Sequence, residues 1–255
     1  CSTVFHLAAL GGIPYSYISP LAYIRTNIEG TYNVLEAARH LGLSQVVVTS
    51  TSETYGTAQY TPIDEHHPCV AQSPYAATKV SADQLAISYH RSFGLPVKIV
   101  RPFNTYGPRQ SARAIIPTII GQLLDGKNTI SLGNTSPTRD LTYVDDTCNA
   151  FLEIYKSNLF LGEVINVGTN SEISIADLAY LIADLLNKKL TIEVSEKRER
   201  ATSSEVQRLV CDNSKLLSHS SWKPTHSLRQ GLSTVIKWMS DPENAAYYKS
   251  DRYNV

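Results

Sequence analysis

Tyr75 and Lys79 stand four residues apart in Ser73-Pro74-Tyr75-Ala76-Ala77-Thr78-Lys79. On a helix that spacing puts the phenol and the ammonium on one face. A nearby ammonium favours phenolate and lowers a phenol from its ordinary pKa of about 10. Such a phenol is a usable base near neutral pH. Tyr–Lys pairs at this spacing also occur on ordinary solvated helix faces, so the pair alone does not assign a role. Earlier in the chain comes Ser50-Thr51-Ser52-Glu53-Thr54-Tyr55-Gly56. Its successive hydroxyls and carboxylate, Thr51, Ser52 and Glu53, could bond a sugar and move a proton. The plainer alternative is a polar turn that closes a strand.

These residues need elements to hold them. Gln45–Thr51 is a β-branched run of the kind buried on both faces of a parallel sheet, which puts the Thr-Ser-Glu turn at its carboxyl end. Ligands of open α/β sheets bind outside those ends. Ser73–Ser92 reads as a helix, with Ser73 able to cap it and Pro74 suited to its first turn. Thr3–Ala9 and Val97–Phe103 are further strands, and Leu21–His40 and Ala114–Leu124 further helices. Asn27 and Gly30 interrupt the first of these helices; an Asn there can bond backbone and bend it. Thr129–Leu132, Leu141–Val144, Val164–Val167 and Leu190–Val194 are shorter strands. Asp145–Lys156, Ile175–Asn187 and Leu228–Met239 are the remaining helices. The tail from Asp241 is polar and Tyr-rich. This alternation predicts an α/β fold with a Rossmann-type parallel sheet and a smaller α/β substrate-binding domain.

Composition excludes several other classes. The chain has 255 residues and a formal net charge of zero, with 23 Lys+Arg against 23 Asp+Glu. That balance argues against a nucleic-acid-binding surface. No run approaches the ~18 apolar residues of a membrane helix. Tyr supplies 15 residues against five Phe and two Trp, which suits half-polar clefts. The four cysteines, Cys1, Cys69, Cys148 and Cys211, are too scattered for a metal site or a disulfide framework. They point to a reducing cytoplasm. His6 falls in a strand and is expected to be packed or capping.

Six stretches together carry a resemblance. They are His6–Leu10 (HLAAL), Thr26–Arg39 (TNIEGTYNVLEAAR), Thr49–Gly56 (TSTSETYG), Ser73–Lys79 (SPYAATK), Arg101–Gln110 (RPFNTYGPRQ) and Arg139–Asp146 (RDLTYVDD). In order and spacing the chain resembles the extended short-chain dehydrogenase/reductases that act on nucleotide sugars, over nearly its whole length. Within them it is similar to the NAD-dependent 4,6-dehydratases of the legionaminic-acid type, which act on UDP-N-acetylglucosamine in making bacterial surface sugars.

The resemblance implies a site. NAD would contact Ala8, Ala9, Tyr75 and Lys79; Lys79 would bond the nicotinamide ribose. For the Ala8 and Ala9 side chains, plain strand packing is the alternative. Asn104, Arg139, Arg200 and Glu205 would meet the substrate's diphosphate and ribose. Arg suits phosphate because its donors form a rigid fork. Arg200 lies in the charge run Lys197–Arg200, which could equally be a solvated face, and Ala201 stands where the family usually has Pro. No metal is implied. The domain division is 1–106 with 141–168 for the cofactor, and 107–140 with 169–255 for the substrate.

The resemblance also implies roles. Tyr75, aided by Lys79, would take the proton of the sugar 4-hydroxyl, with Thr51 hydrogen-bonded to it. Glu53 would take the C5 proton, and water would leave from C6. Ser52 stands where the deoxythymidine-sugar dehydratases carry an Asp acid. Glu53 would then serve as both base and acid, or a water would mediate. Alternatives are a uronate decarboxylase or a C4 epimerase of the same family, or a non-catalytic binding remnant. The last is favoured by one departure: no GxxGxxG turn occurs here, and Gly11-Gly12 is only a loop pair. The expectation is a fragment lacking roughly two and a half βα units, about 75 residues at ~30 per unit. Alone it should be poorly soluble, weak for NAD and inactive, with Thr3–Ala9 as an unpaired edge. The complete chain should form a homodimer through Leu21–His40 and Ser73–Ser92, with Ala76, Ala77, Val80 and Ala82 allowing close approach and Leu85 and Tyr89 as anchors.

Overall fold

A computed structural model describes residues 1–195 and 204–248. Arg200 and Ala201 lie outside the described residues. Along the chain come β1 (Thr3–His6), α1 (Ile13–Ile18), α2 (Pro20–Tyr23), a π-helical turn (Ile24–Glu29), α3 (Gly30–His40), β2 (Gln45–Thr49), a 3₁₀ turn (Ser52–Tyr55), α4 (Pro74–Phe93) and β3 (Val97–Pro102). Then follow β4 (Thr105–Tyr106), α5 (Ile115–Leu124), β5 (Thr129–Leu132), β6 (Thr138–Arg139), β7 (Thr142–Tyr143), α6 (Val144–Lys156) and β8 (Val164–Val167). The last are β9 (Ile173–Ser174), α7 (Ile175–Leu185), β10 (Thr191–Val194), β11 (Arg208–Leu209), α8 (Ser214–His219), α9 (Leu228–Met239) and α10 (Pro242–Ala245).

Strands β1, β2, β3 and β8 lie side by side in that order, all parallel. Val46, Val47, Val48, Val97, Ile99, Val100 and Ile165 are at most 1% exposed, as strands covered on both faces must be. Leu35 and Ala38 of α3 and Ala86 and Tyr89 of α4 cover one face. Ala150 and Ile154 of α6, with Leu216 and Trp222, cover the other. A second core joins Ile116, Ile119 and Leu123 of α5 to Leu178 and Ile182 of α7 and Leu232 and Val235 of α9. Around it, β5 pairs with β10, and β6 lies between β11 and β9. None of the described helices is long and apolar enough to cross a membrane.

The strands stop sooner than their apolar runs suggest. β1 ends at His6 rather than Ala9, and β2 at Thr49 rather than Thr51. After β2 the Ser50 N–H makes one last bond to the Val100 carbonyl at 2.7 Å before the chain turns, and after β1 the Leu10 amide is bonded by Asn27 instead of a strand. The expected helix over Leu21–His40 is a continuous helical run from Pro20 with a π-helical turn inside it. That turn holds Asn27, which is 1% exposed. The Asn27 Oδ1 accepts from Leu10 N–H at 2.8 Å, and Nδ2 donates to the Leu10 carbonyl at 3.1 Å and to Thr78 Oγ1 at 3.0 Å. A widened turn turns this side chain inward, a use of π-turns common beside functional sites. His6 is packed as expected, with Nε2 3.0 Å from Thr31 Oγ1.

The helix face expected to meet a second chain is partly used within this one. Ala76, Ala82 and Tyr89 are buried in their own chain. The Tyr89 hydroxyl donates to Glu36 Oε2 at 2.7 Å. Ala77 stays exposed.

Candidate active site

The turn after β2 is built by its own side chains. Thr51 caps it: Glu53 N–H donates to Thr51 Oγ1 at 3.3 Å, and Thr54 Oγ1 donates to the Thr51 carbonyl at 2.8 Å. Gly56 closes it at φ 66°, and a Cβ there would lie 2.2 Å from the Val70 carbonyl oxygen. Only glycine meets both conditions. The turn buries Ser52 to 1% exposure, while Thr51 and Glu53 stay half-buried.

Helix α4 delivers the partners. Ser73 caps it, its Oγ accepting from Ala76 N–H at 3.1 Å, with Pro74 in the first turn. Tyr75 is thereby held one residue into the helix. Thr51 hydrogen-bonds its phenol. The Tyr23 ring meets the Tyr75 ring edge to face, with centroids 6.1 Å apart. Lys79, 5% exposed, donates from Nζ to the Thr49 carbonyl at 2.6 Å. The strand end, the turn and the helix thus bring Thr51, Glu53, Tyr75 and Lys79 together, as their order in the sequence suggested.

The electrostatics differ from the sequence expectation. Burial pushes the Tyr75 phenol up to about 12; the Thr51 hydrogen bond opposes this, and the Glu53 carboxylate adds to it. Burial likewise pulls Lys79 down, with Asp83 opposing. The ammonium is turned to the Thr49 carbonyl, and burial of the phenol outweighs the lowering that the bare helix spacing implied. His6 is also lowered, by burial and then by the Lys79 charge, which places the end of β1 within reach of Lys79.

Ala8 and Ala9 follow that end and are both exposed. Small side chains there leave the backbone after β1 open to approach, at the end of the strand whose His6 feels the Lys79 charge. The Lys79 ammonium, the Tyr75 phenol and that opening fit the nicotinamide-ribose half of a dinucleotide.

Asn104 links β3 to β4. Its carbonyl accepts from Thr142 N–H at 3.1 Å, and its Oδ1 is buried with no partner among the described residues. Arg139 and Glu205 are brought together, with Nη2 3.3 Å from Oε1. Ser204 Oγ donates to the Gln72 carbonyl at 2.8 Å and is hydrogen-bonded to the Tyr17 hydroxyl. The segment carrying Glu205 is therefore tied to both α1 and the lead-in to α4.

Sequence reasoning missed Arg113. It precedes α5, yet its Nη1 would lie 3.5 Å from a Cβ at Gly12. Its charge reaches Tyr23, whose phenol burial raises and Arg113 lowers. No local pattern marks it, since it follows Arg109, Gln110 and Ser111 in a polar stretch ahead of Ile115. Asp83 and Arg101 were also passed over. The Arg101 Nε and Nη2 donate to Asp83 Oδ2 at 3.0 and 2.8 Å, beneath Lys79.

Comparison with known proteins matches residues 1–235 to the family model described as GDP-mannose 4,6 dehydratase. The dTDP-glucose 4,6-dehydratase of Streptomyces antibioticus is 32% identical over 246 residues, 96% of this chain and 72% of that protein. Among solved structures, the UDP-glucuronic acid 4-epimerase of Bacillus cereus, in complex with UDP-glucuronic acid and NAD, superposes with a TM-score of 0.87. It is 31% identical, covering 93% of this chain and 75% of that one. The dTDP-glucose 4,6-dehydratase of Streptomyces venezuelae, with NAD bound, gives a TM-score of 0.86 at 28% identity, covering 97% and 75%.

Proposed function

Because the chain belongs to the GDP-mannose 4,6-dehydratase family, among the extended short-chain dehydrogenase/reductases, we propose that it serves as an NAD-dependent nucleotide-sugar 4,6-dehydratase. Its relatives include both dehydratases and epimerases of nucleotide sugars. The observation that carries the choice is Glu53. It is half-buried on the same short turn whose Thr51 bonds Tyr75, so a carboxylate stands beside the phenol. Exchange at C4 alone has no use for that carboxylate; elimination across C5 and C6 does.

NAD, when bound against Ala8, Ala9, Tyr75 and Lys79, supplies hydride acceptance and return. Tyr75 takes the proton of the sugar 4-hydroxyl, and Thr51 hydrogen-bonds the same oxygen. Lys79 donates to the ribose and keeps positive charge under the site. The C4 ketone makes the C5 proton acidic, and Glu53 removes it. Ser52 is fully covered by the turn, so the proton for the leaving C6 hydroxyl comes from Glu53 or a water. Asn104, Arg139 and Arg200 hold the nucleotide diphosphate, and Glu205 accepts from the ribose hydroxyls.

The division of labour follows residues 1–106 with 141–168 for the cofactor and the rest for the substrate, with Leu216 and Trp222 returning to the central sheet. UDP-N-acetylglucosamine is the proposed substrate, for surface-sugar synthesis, and a homodimer the proposed assembly. All four cysteines are free thiols, which suits a reducing cytoplasm.

The test is mass spectrometry of products from a panel of nucleotide sugars. A loss of one water from a UDP-hexose supports the dehydratase. An isomer of unchanged mass with no solvent deuterium at C5 would move the assignment to a C4 epimerase, the reading that the covered Ser52 favours.

A further inference from the structure

The chain leaves the 3₁₀ turn at Gly56 and returns at Ser73 to start α4. The two ends of the loop between them meet. Gln72 Oε1 accepts from Thr57 N–H at 2.6 Å and from Thr57 Oγ1 at 3.0 Å, across 15 residues of sequence. Gly56 permits the approach: a Cβ there would lie 3.0 Å from Gln72 Oε1. The junction falls directly after the turn that carries Thr51 and Glu53, and just ahead of Tyr75. Gln72 also holds a third segment, by its main chain. Its carbonyl accepts from Ser204 Oγ at 2.8 Å. Ser204 is 8% exposed and precedes Glu205, the partner of Arg139.

The Thr57 N–H is met by a side-chain acceptor, not by a strand or helix partner, so the junction depends on which residue stands at position 72. We propose that Gln72 is a positioning residue for the site. Its amide oxygen fixes the Thr51–Glu53 turn against the start of α4, and so sets where Thr51 and Glu53 stand relative to Tyr75. Its carbonyl holds the Arg139–Glu205 pair in the same frame. A reacting group displaced by about 1 Å can lose ~10²-fold in rate, so a bond outside the chemistry can govern it. The proposal rests on the roles given above to Thr51, Glu53, Tyr75 and Arg139.

The two attachments use different atoms of Gln72, so each can be cut alone. Gln72→Met keeps the side-chain length and the backbone carbonyl but removes the acceptor. Its kcat should fall about 10–100-fold with KM for the nucleotide sugar little changed. Gln72→Glu returns an acceptor oxygen to the same place and should recover most of that loss. Ser204→Ala cuts only the other attachment. It should raise KM about 3–10-fold, the worth of one hydrogen bond, with kcat held.

These rates are read on whichever product forms, with loss of water or without it. Both reactions need Thr51 aligned with Tyr75, so the outcome is separate from the choice between dehydratase and epimerase. Amide exchange measured without substrate makes the same comparison on the protein alone. Thr57 N–H should exchange about tenfold faster in Gln72→Met than in the parent or in Gln72→Glu. A parental kcat in Gln72→Met overturns the proposal. So does an equal fall in Gln72→Glu, or a fall in kcat joined to a rise in KM in both Gln72→Met and Ser204→Ala, which would mean only a loosened loop. Equal Thr57 protection in all three proteins overturns it even where no sugar is turned over, the result that would instead end the proposed function.

Discussion

Arg139 and Glu205, 66 residues apart in sequence, face each other at 3.3 Å in the structure. Each was read from sequence as a separate substrate contact. The fold makes them partners, with side chains 10% and 12% exposed. The carboxylate holds the guanidinium in one orientation, so its rigid donor fork is already fixed for the diphosphate contact proposed for it.

Arg139→Met should therefore damage binding more than chemistry. A charged hydrogen bond contributes about 1.5–3 kcal/mol, so KM for the nucleotide sugar should rise about 10–100-fold with kcat little changed. Steady-state kinetics decide it; an unchanged KM would remove Arg139 from the substrate site.

Glu53→Gln separates the two halves of the reaction. Tyr75 and Lys79 remain, so reduced cofactor should build up in a single turnover. Product formation should fall ~10²–10⁴-fold, the usual contribution of a general base. Tyr75→Phe should instead prevent any reduced-nicotinamide absorbance. A Glu53→Gln variant that exchanges C5 with solvent deuterium at the parent rate would exclude Glu53 as the base.

The Tyr75 phenol gives a pH dependence of stability. In the unfolded chain it ionises near ~10, and in the folded protein burial holds it back to about 12. Its contribution is thus complete below pH ~10 and is lost as pH rises through the folded value, because the unfolded state releases the proton first. Urea midpoints measured from pH 8 to 12 should decline above 10, and less steeply in Tyr75→Phe. Equal slopes would show that this phenol is not held protonated.

Asn27→Ala removes three hydrogen bonds at once and leaves Leu10 N–H without its partner. The expected loss is about 1–3 kcal/mol, the cost of a buried unsatisfied group. Denaturant unfolding measures it. The same variant should loosen the Leu7–Leu10 segment that carries Ala8 and Ala9, read as faster amide exchange there.

For the proposed homodimer, exposed apolar surface lies on the first of the two helices drawn from sequence. Leu21, Ile24 and Tyr32 are 56, 47 and 45% exposed along the run from α2 to α3. Ile24→Asp should halve the mass seen by light scattering at micromolar concentration. A mass unmoved by this change would place any interface elsewhere.

Much of this protein is legible in its sequence because the signals are local. β-Branched runs such as Val46–Val48 specify strands that must be covered on both faces. Ser73 and Pro74 start α4 by capping and fixed φ, and Gly56 marks the end of the turn. Those signals place Thr51, Glu53, Tyr75 and Lys79 on the right elements. What sequence could not supply is which groups meet across those elements, since contact depends on register between strands and helices distant along the chain. Only the packing of α4 on β2 and β3 turns Lys79 to the Thr49 carbonyl, sets Asp83 against Arg101, and raises rather than lowers the Tyr75 phenol. Helix spacing names neighbours on one helix; burial and the opposing strands, decided by the tertiary structure, set their charge.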